Sequence, residues 1–243
     1  MKMAAVKTID KAAGGFRSPT VARIAPFAAF MGCIAIEEGL AFASSRGLVQ
    51  ISEPVMLWLY LPKLVITIAV LMWLWPAYTE IRLKDFKERG NTLASLLCGV
   101  LVFVLWINMD WTFGFQSPPR GFNPALFTDE TSRWLMIGVR FVGAVVIVPV
   151  MEELFWRSWL LRYLIKDDFT SVAVGSFSLF SFLAVSLLFG LEHHFILAGI
   201  MAGVFFNAIC YVTKSIAQCI LAHMVANLLL AGYVLSTGKW LFW

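Results

Sequence analysis

Apolar runs of about twenty residues, separated by short polar stretches, recur along the whole chain, and each is long enough to cross a bilayer as a helix. They fall at roughly 21–43, 54–78, 93–110, 134–162, 172–192, 195–213 and 216–237. The pattern predicts an all-α, polytopic membrane protein, a bundle of about 7–8 transmembrane helices. Residues 1–243 read as a single integral membrane domain without internal repeats, and 1–20 as a cytoplasmic N-terminal segment. The stretch 111–133 contains Pro118-Pro119, Gly121 and Asn123-Pro124, which break helix and mark an external loop.

Composition agrees with this reading. Hydrophobic residues make up 60% of the chain and charged residues only 14%, against about 25% charged in soluble domains. Basic residues concentrate in alternate connections: Arg82, Lys84, Lys87 and Arg89, then Arg162 and Lys166, then Lys214. The intervening connections hold Arg46, Arg120 and Arg133. By the positive-inside rule the N-terminus is cytoplasmic, and seven spans put the C-terminus outside. Lys2, Lys7, Lys11, Arg17 and Arg23 precede the first apolar run, which is too long for the core of a cleavable signal peptide and is expected to stay as a span. Trp106, Trp111, Trp134, Trp240 and Trp243 lie near span ends, as an interfacial belt does. Gly199 and Gly203, with Ala198 and Ala202 beside them, offer a face for close helix packing. Cys33, Cys98, Cys210 and Cys219 have neither zinc-site nor disulfide spacing and are expected as small buried side chains. The net charge of +4 is modest and shows no basic–aromatic cluster, so nucleic acid is not an expected partner.

Ionisable groups in hydrocarbon are costly and point to function, and three patterns concentrate them in the last hundred residues. The first is Glu152-Glu153-Leu154-Phe155-Trp156-Arg157, the second Phe189-Gly190-Leu191-Glu192-His193, the third His223-Met224-Val225-Ala226-Asn227. On a helix Glu153 and Arg157 share a face and can neutralise each other. Glu152 is turned about 100° away and can meet a different neighbour. Left partly unpaired in a low dielectric, it suits general-base work. His223 and Asn227, four apart, offer two donors at neighbouring depths for a developing oxyanion. Phe189 and His193 repeat that spacing, so the ring can fix the imidazole. Together these groups can activate water without a serine or cysteine nucleophile. The bland reading of each is structural: a Glu–Arg pair can pin helices, and a lone histidine or Asn207 can be interhelical glue.

In this order E-E-x-x-x-R, F-x-x-x-H and H-x-x-x-N resemble the CAAX protease and bacteriocin-processing (ABI) family of intramembrane glutamate endopeptidases. The resemblance covers roughly 134–237, a catalytic core, and the chain also looks like the CAAX-protease-related subgroup associated with bacterial exosortase and PEP-CTERM systems. It implies a bacterial inner-membrane enzyme that hydrolyses a peptide bond of a membrane-associated protein or peptide, lipid-modified or not, within the lipid bilayer. Glu152 would activate the water with help from His193, and His223 and Asn227 would line the oxyanion site. Glu153, Arg157 and Phe189 would support the site. No cofactor and no metal are expected; oligomeric state is not legible.

Two features fit less well. Glu37-Glu38 lacks a following arginine, since position 42 is Phe42, and reads as an outer-interface or cavity-rim pair. A centred fifth span also puts His193 near the outer face, away from Glu152, so that span must shift to roughly 178–198 or break at Gly190. His194 has no assigned role, though a shifted register would let it replace His193. Two other functions stay open: a zinc metalloprotease built on Glu and His, although H-E-x-x-H is missing, and a non-catalytic scaffold or immunity protein of the same fold. A transporter would show repeated halves or paired broken helices, and neither is present.

Overall fold

The computed structural model describes residues 18–111 and 121–243. The basic residues Lys2, Lys7, Lys11 and Arg17, the Pro118-Pro119 pair and Arg120 lie outside the described residues. The long helices are α1 (Pro19–Ser45), α2 (Glu53–Ala77), α3 (Arg89–Trp106), α4 (Glu130–Tyr163), α5 (Leu179–Leu191), α6 (Ile196–Thr213) and α7 (Ile216–Thr237). Six are long and apolar enough to cross a membrane; α5, at 13 residues, falls short. The protein is therefore an all-helical, integral multi-pass membrane protein, with six candidate spans among the described residues where the sequence pattern predicts seven to eight.

The helices begin where the sequence caps them. The Ser18, Ser178 and Ser215 hydroxyls accept from the backbone amides of Val21, Ser181 and Gln218, and the Asp129 carboxylate from Ser132. Helices α6 and α7 end at Lys214 and Gly238, both with positive φ. The correction to the fifth span follows from such a cap. Residues 172–178 are irregular, Ser178 starts α5, and the helix stops at Leu191, leaving Glu192–Phe195 as a turn before α6. Thirteen residues rise about 20 Å, less than the ~30 Å of hydrocarbon, and the turn at the tip brings His193 to cavities that Glu152 also lines.

Helix α7 packs along α3, α6 along α5, and α1 along α2, with α6 also against α3. Close approach depends on small residues. A Cβ on Gly99 would stand 2.4 Å from the Ala222 carbonyl oxygen, and one on Gly199 would stand 2.8 Å from the Gly190 Cα. The four cysteines are free, three of them buried. Of the tryptophans near span ends, Trp111 and Trp134 are exposed, whereas Trp106 and Trp243 turn inward and line cavities.

Helix α4 carries the first motif and is not a uniform helix. Pro149 has no amide hydrogen and its ring crowds the preceding turn. π-helical turns at Gly143–Ile147 and Leu154–Leu160 flank a single α-helical stretch, Val148–Glu153, which contains Glu152 and Glu153. Such wide turns rotate the following side chains and free backbone carbonyls. Here the Ala144 carbonyl is taken by the Asn227 amide at 2.8 Å.

A polar cluster ties the basic end of the bundle together. Arg23 of α1 donates twice to Glu80, at 2.8 and 2.6 Å, and once to Ser158 at 3.1 Å. Ser158 also donates to Glu80, and Arg162 donates to the Ser158 hydroxyl at 3.0 Å. Nearby, Ser215 and Gln218 donate to Asp85, joining the 213–215 turn to the connection after α2. The basic connections that sequence reading puts on one side of the membrane are thus neighbours in space. Burial opposes ionisation of Glu80, but the hydrogen bonds and charge of Arg23, with the Ser158 hydroxyl, outweigh it and hold the carboxyl below its ordinary 4.5. A lowered folded value stabilises above pH 4.5, and that contribution is lost as pH falls through the lowered value. We expect Glu80→Gln to lower the melting temperature at neutral pH and to flatten its fall in acid. Parallel acid curves for variant and wild type would exclude this role.

Candidate active site

The structure brings the three motifs to one place. Glu153 and Arg157 are wholly buried, and the Arg157 guanidinium meets the Glu153 carboxylate at 3.0 Å. Arg157 also donates to Asn207 at 3.1 Å and to the Gly203 carbonyl at 3.4 Å. It lies between the rings of Phe189 and Phe206, 4.6 and 5.4 Å from their centroids. Asn207 in turn donates to Ser186 at 3.1 Å, so α4, α5 and α6 are joined through one arginine. The same Glu153 oxygen that meets Arg157 accepts from His223 Nδ1 at 2.9 Å, which links the first motif to the third. The sequence spacing gives no sign of that second partner, because it lies on another helix.

Glu152 behaves differently. It is buried at 5% exposure, its Oε2 has no hydrogen-bond partner among the described residues, and His223 Nε2 stands 4.0 Å from it. A buried carboxylate oxygen without a partner is costly, and here it lines a cavity. That cavity, of about 250 Å³, also has Phe189, His193, His223 and Asn227 in its wall. A larger one, of about 650 Å³, shares Glu152, His193, Trp106, Arg140, Phe242 and Trp243 with it and extends to Glu37, Glu38, Lys63 and Glu192. Glu37 holds Lys63 at 2.7 Å on this wall. His194 lines only the larger cavity.

The ring tautomers follow from the partners. A carbonyl oxygen can only accept, so His193 Nδ1 donates to the Phe189 carbonyl at 2.6 Å. A neutral His193 therefore offers Nε2 as an acceptor. Its ring is set by Phe189, with centroids 4.8 Å apart, and by the edge of Trp106 at 5.3 Å. His223 stacks on Phe206 at 4.7 Å. The Asn227 amide uses one hydrogen on Ala144 and keeps a second for the cavity. Among the described residues no three His, Cys, Asp or Glu side chains converge to hold a metal ion.

Sequence reading did not single out Trp106, Glu192 or Arg140 for the site. Arg140 is the hardest to see. It lies in α4 outside the three motifs, and its guanidinium lies over the rings of Tyr60 and Phe122, 4.8 and 5.2 Å away. Nothing in its neighbours in sequence announces that wall.

No curated protein and no solved structure matches the chain. Residues 133–229, which hold all three motifs, match the family model described as type II CAAX prenyl endopeptidase, Rce1-like. With its apolar helices, that match supports a protease-type hydrolase working in the membrane, residues 133–229 being similar to the CAAX protease type.

Proposed function

We propose that the chain is an intramembrane glutamate endopeptidase that cleaves a membrane-associated peptide. The observation that carries this is Glu152: a buried carboxylate with a partnerless oxygen, lining one cavity with His193, His223 and Asn227. Water held between Glu152 and His193 Nε2 loses a proton to Glu152 as its oxygen attacks the carbonyl carbon. The Asn227 amide stabilises the oxyanion. With Nδ1 held by Glu153, His223 offers Nε2 to the same space, and a doubly protonated ring donates from it. Glu153, Arg157 and Phe189 act as supports, since their contacts fix the rings and the first motif.

The protein sits in this reading in a bacterial inner membrane with its N-terminus in the cytoplasm, and α5 makes a short seventh crossing. The mechanism uses no metal and no cofactor. The test is purified protein in lipid vesicles with membrane-anchored peptides, cleavage being read by mass spectrometry. Product is expected at an undiminished rate in excess chelator. Cleavage that stops with chelator and returns with zinc would establish the metalloprotease reading instead.

A further inference from the structure

Among the three motifs the proton for the departing amine would have to come back from Glu152, which took it from water, or from a doubly protonated His223 that also faces the oxyanion. A separate acid would free both groups of that task, and Glu192, which belongs to none of the roles assigned so far, is a further carboxyl on a cavity wall that Glu152 lines. It lies in the turn after α5, beside His193, and lines the larger cavity together with Glu152. Its Oε2 is shielded from solvent and, among the described residues, has the Trp156 indole as a neighbour but no well-formed hydrogen bond.

The two sides of Glu152 also differ. His223 and Asn227 line the smaller cavity and not the larger, whereas Glu192 lines the larger and not the smaller. Glu152 and His193 line both. A carbonyl carbon at Glu152 would therefore have oxyanion donors on one side and a second carboxyl on the other. Two carboxyls brought close together away from bulk water share one proton, because the second charge is opposed by the first. The other charged or titratable groups on the larger cavity are Glu37, Glu38, Tyr60, Lys63, Arg140, His193 and His194, and Lys63 is held by Glu37.

Resting on the function proposed above, the geometry points to Glu192 as the general acid of this site, carrying the proton that the leaving amine takes. Water gives its proton to the Glu152 carboxylate while the C–O bond forms and the carbonyl becomes an oxyanion. Collapse reforms the carbonyl and breaks the C–N bond, and the Glu192 carboxyl protonates the amine nitrogen. The products are an acid and an amine, with Glu152 protonated and Glu192 ionised. Transfer of that proton from Glu152 to Glu192 restores the starting state.

Glu192→Gln keeps the size and removes the acid. On a membrane-anchored peptide it is expected to lower kcat by about a hundredfold or more with KM nearly unchanged. On a 4-nitrophenyl ester of the same acyl sequence, whose leaving group departs without a proton, it is expected to stay within about threefold of wild type. Equal losses on both probes, or none on the peptide, would overturn the assignment. Failure of the underlying reading looks different, because Glu152→Gln would then leave both activities intact. A measurement without substrate adds to this. Infrared spectra of the wild-type protein at neutral pH must show a protonated carboxyl band, and Glu192→Gln must remove it. A missing band in wild type, or one that persists in the variant, also overturns the proposal.

Discussion

Glu152→Gln is expected to lower peptide hydrolysis by about three orders of magnitude, the scale of general-base catalysis, while the protein stays folded. The separation of activity from stability follows from the environment of the side chain. Its Oε2 makes no hydrogen bond that the amide would forfeit. Replacing a buried charge by a neutral group of equal size also removes a desolvation cost. The melting temperature in vesicles or detergent should therefore hold or rise. Single-turnover rates on an anchored peptide, measured beside thermal unfolding, check both halves. A variant that unfolds and loses activity together would make Glu152 a structural group. A variant that keeps its rate would remove it from the chemistry.

Arg157→Met is expected to have the opposite profile, a loss of roughly 3–5 kcal/mol of stability, as when one partner of a buried ion pair is removed. Arg157 is among the largest fully buried side chains of the described residues, and Glu153 beside it is equally sealed. Without the guanidinium, the Glu153 carboxylate keeps only His223, and Asn207 Oδ1 loses its donor from α4. The double variant Glu153→Gln/Arg157→Met should recover much of the loss, since it leaves no uncompensated charge. Denaturant or thermal unfolding of the four proteins in the cycle measures this. Strict additivity would mean that the two side chains do not act as a pair. Because Glu153 also holds His223 Nδ1, the double variant should stay slow even where it is stable.

Much of this molecule is legible in its sequence, for physical reasons that can be named. Where an apolar run is bounded by a capping serine or a breaking glycine, as at Ser215 and Gly238, the helix found is the helix expected. The fifth run misled because 172–178 is as apolar as a span and yet not helical; only the Ser178 cap marked the true start. The spacing of Glu153 and Arg157 announced their contact, since i and i+4 are neighbours on any helix. The bond from Glu153 to His223 joins positions 70 apart and depends on how α7 lies against α4. The wide turns around Val148–Glu153 were equally hidden, although Gly143 and Pro149 are suitable places for them. Trp106 looked like an interfacial anchor because position in a run fixes depth but not rotation about the helix axis.

The shortness of α5 has a consequence for the bilayer itself. The irregular stretch 172–178 lies beside Lys214, at the basic end, since a Cβ on Gly175 would stand 2.9 Å from the Lys214 side chain. From there α5 rises about 20 Å, short of the ~30 Å of hydrocarbon, and the Glu192–Phe195 turn follows at its tip. A thick bilayer would cover that turn and a thin one would uncover it. On the function proposed above, the thickness of the membrane would then set how far water travels to reach Glu152, and the bilayer would become a dimension of the active site.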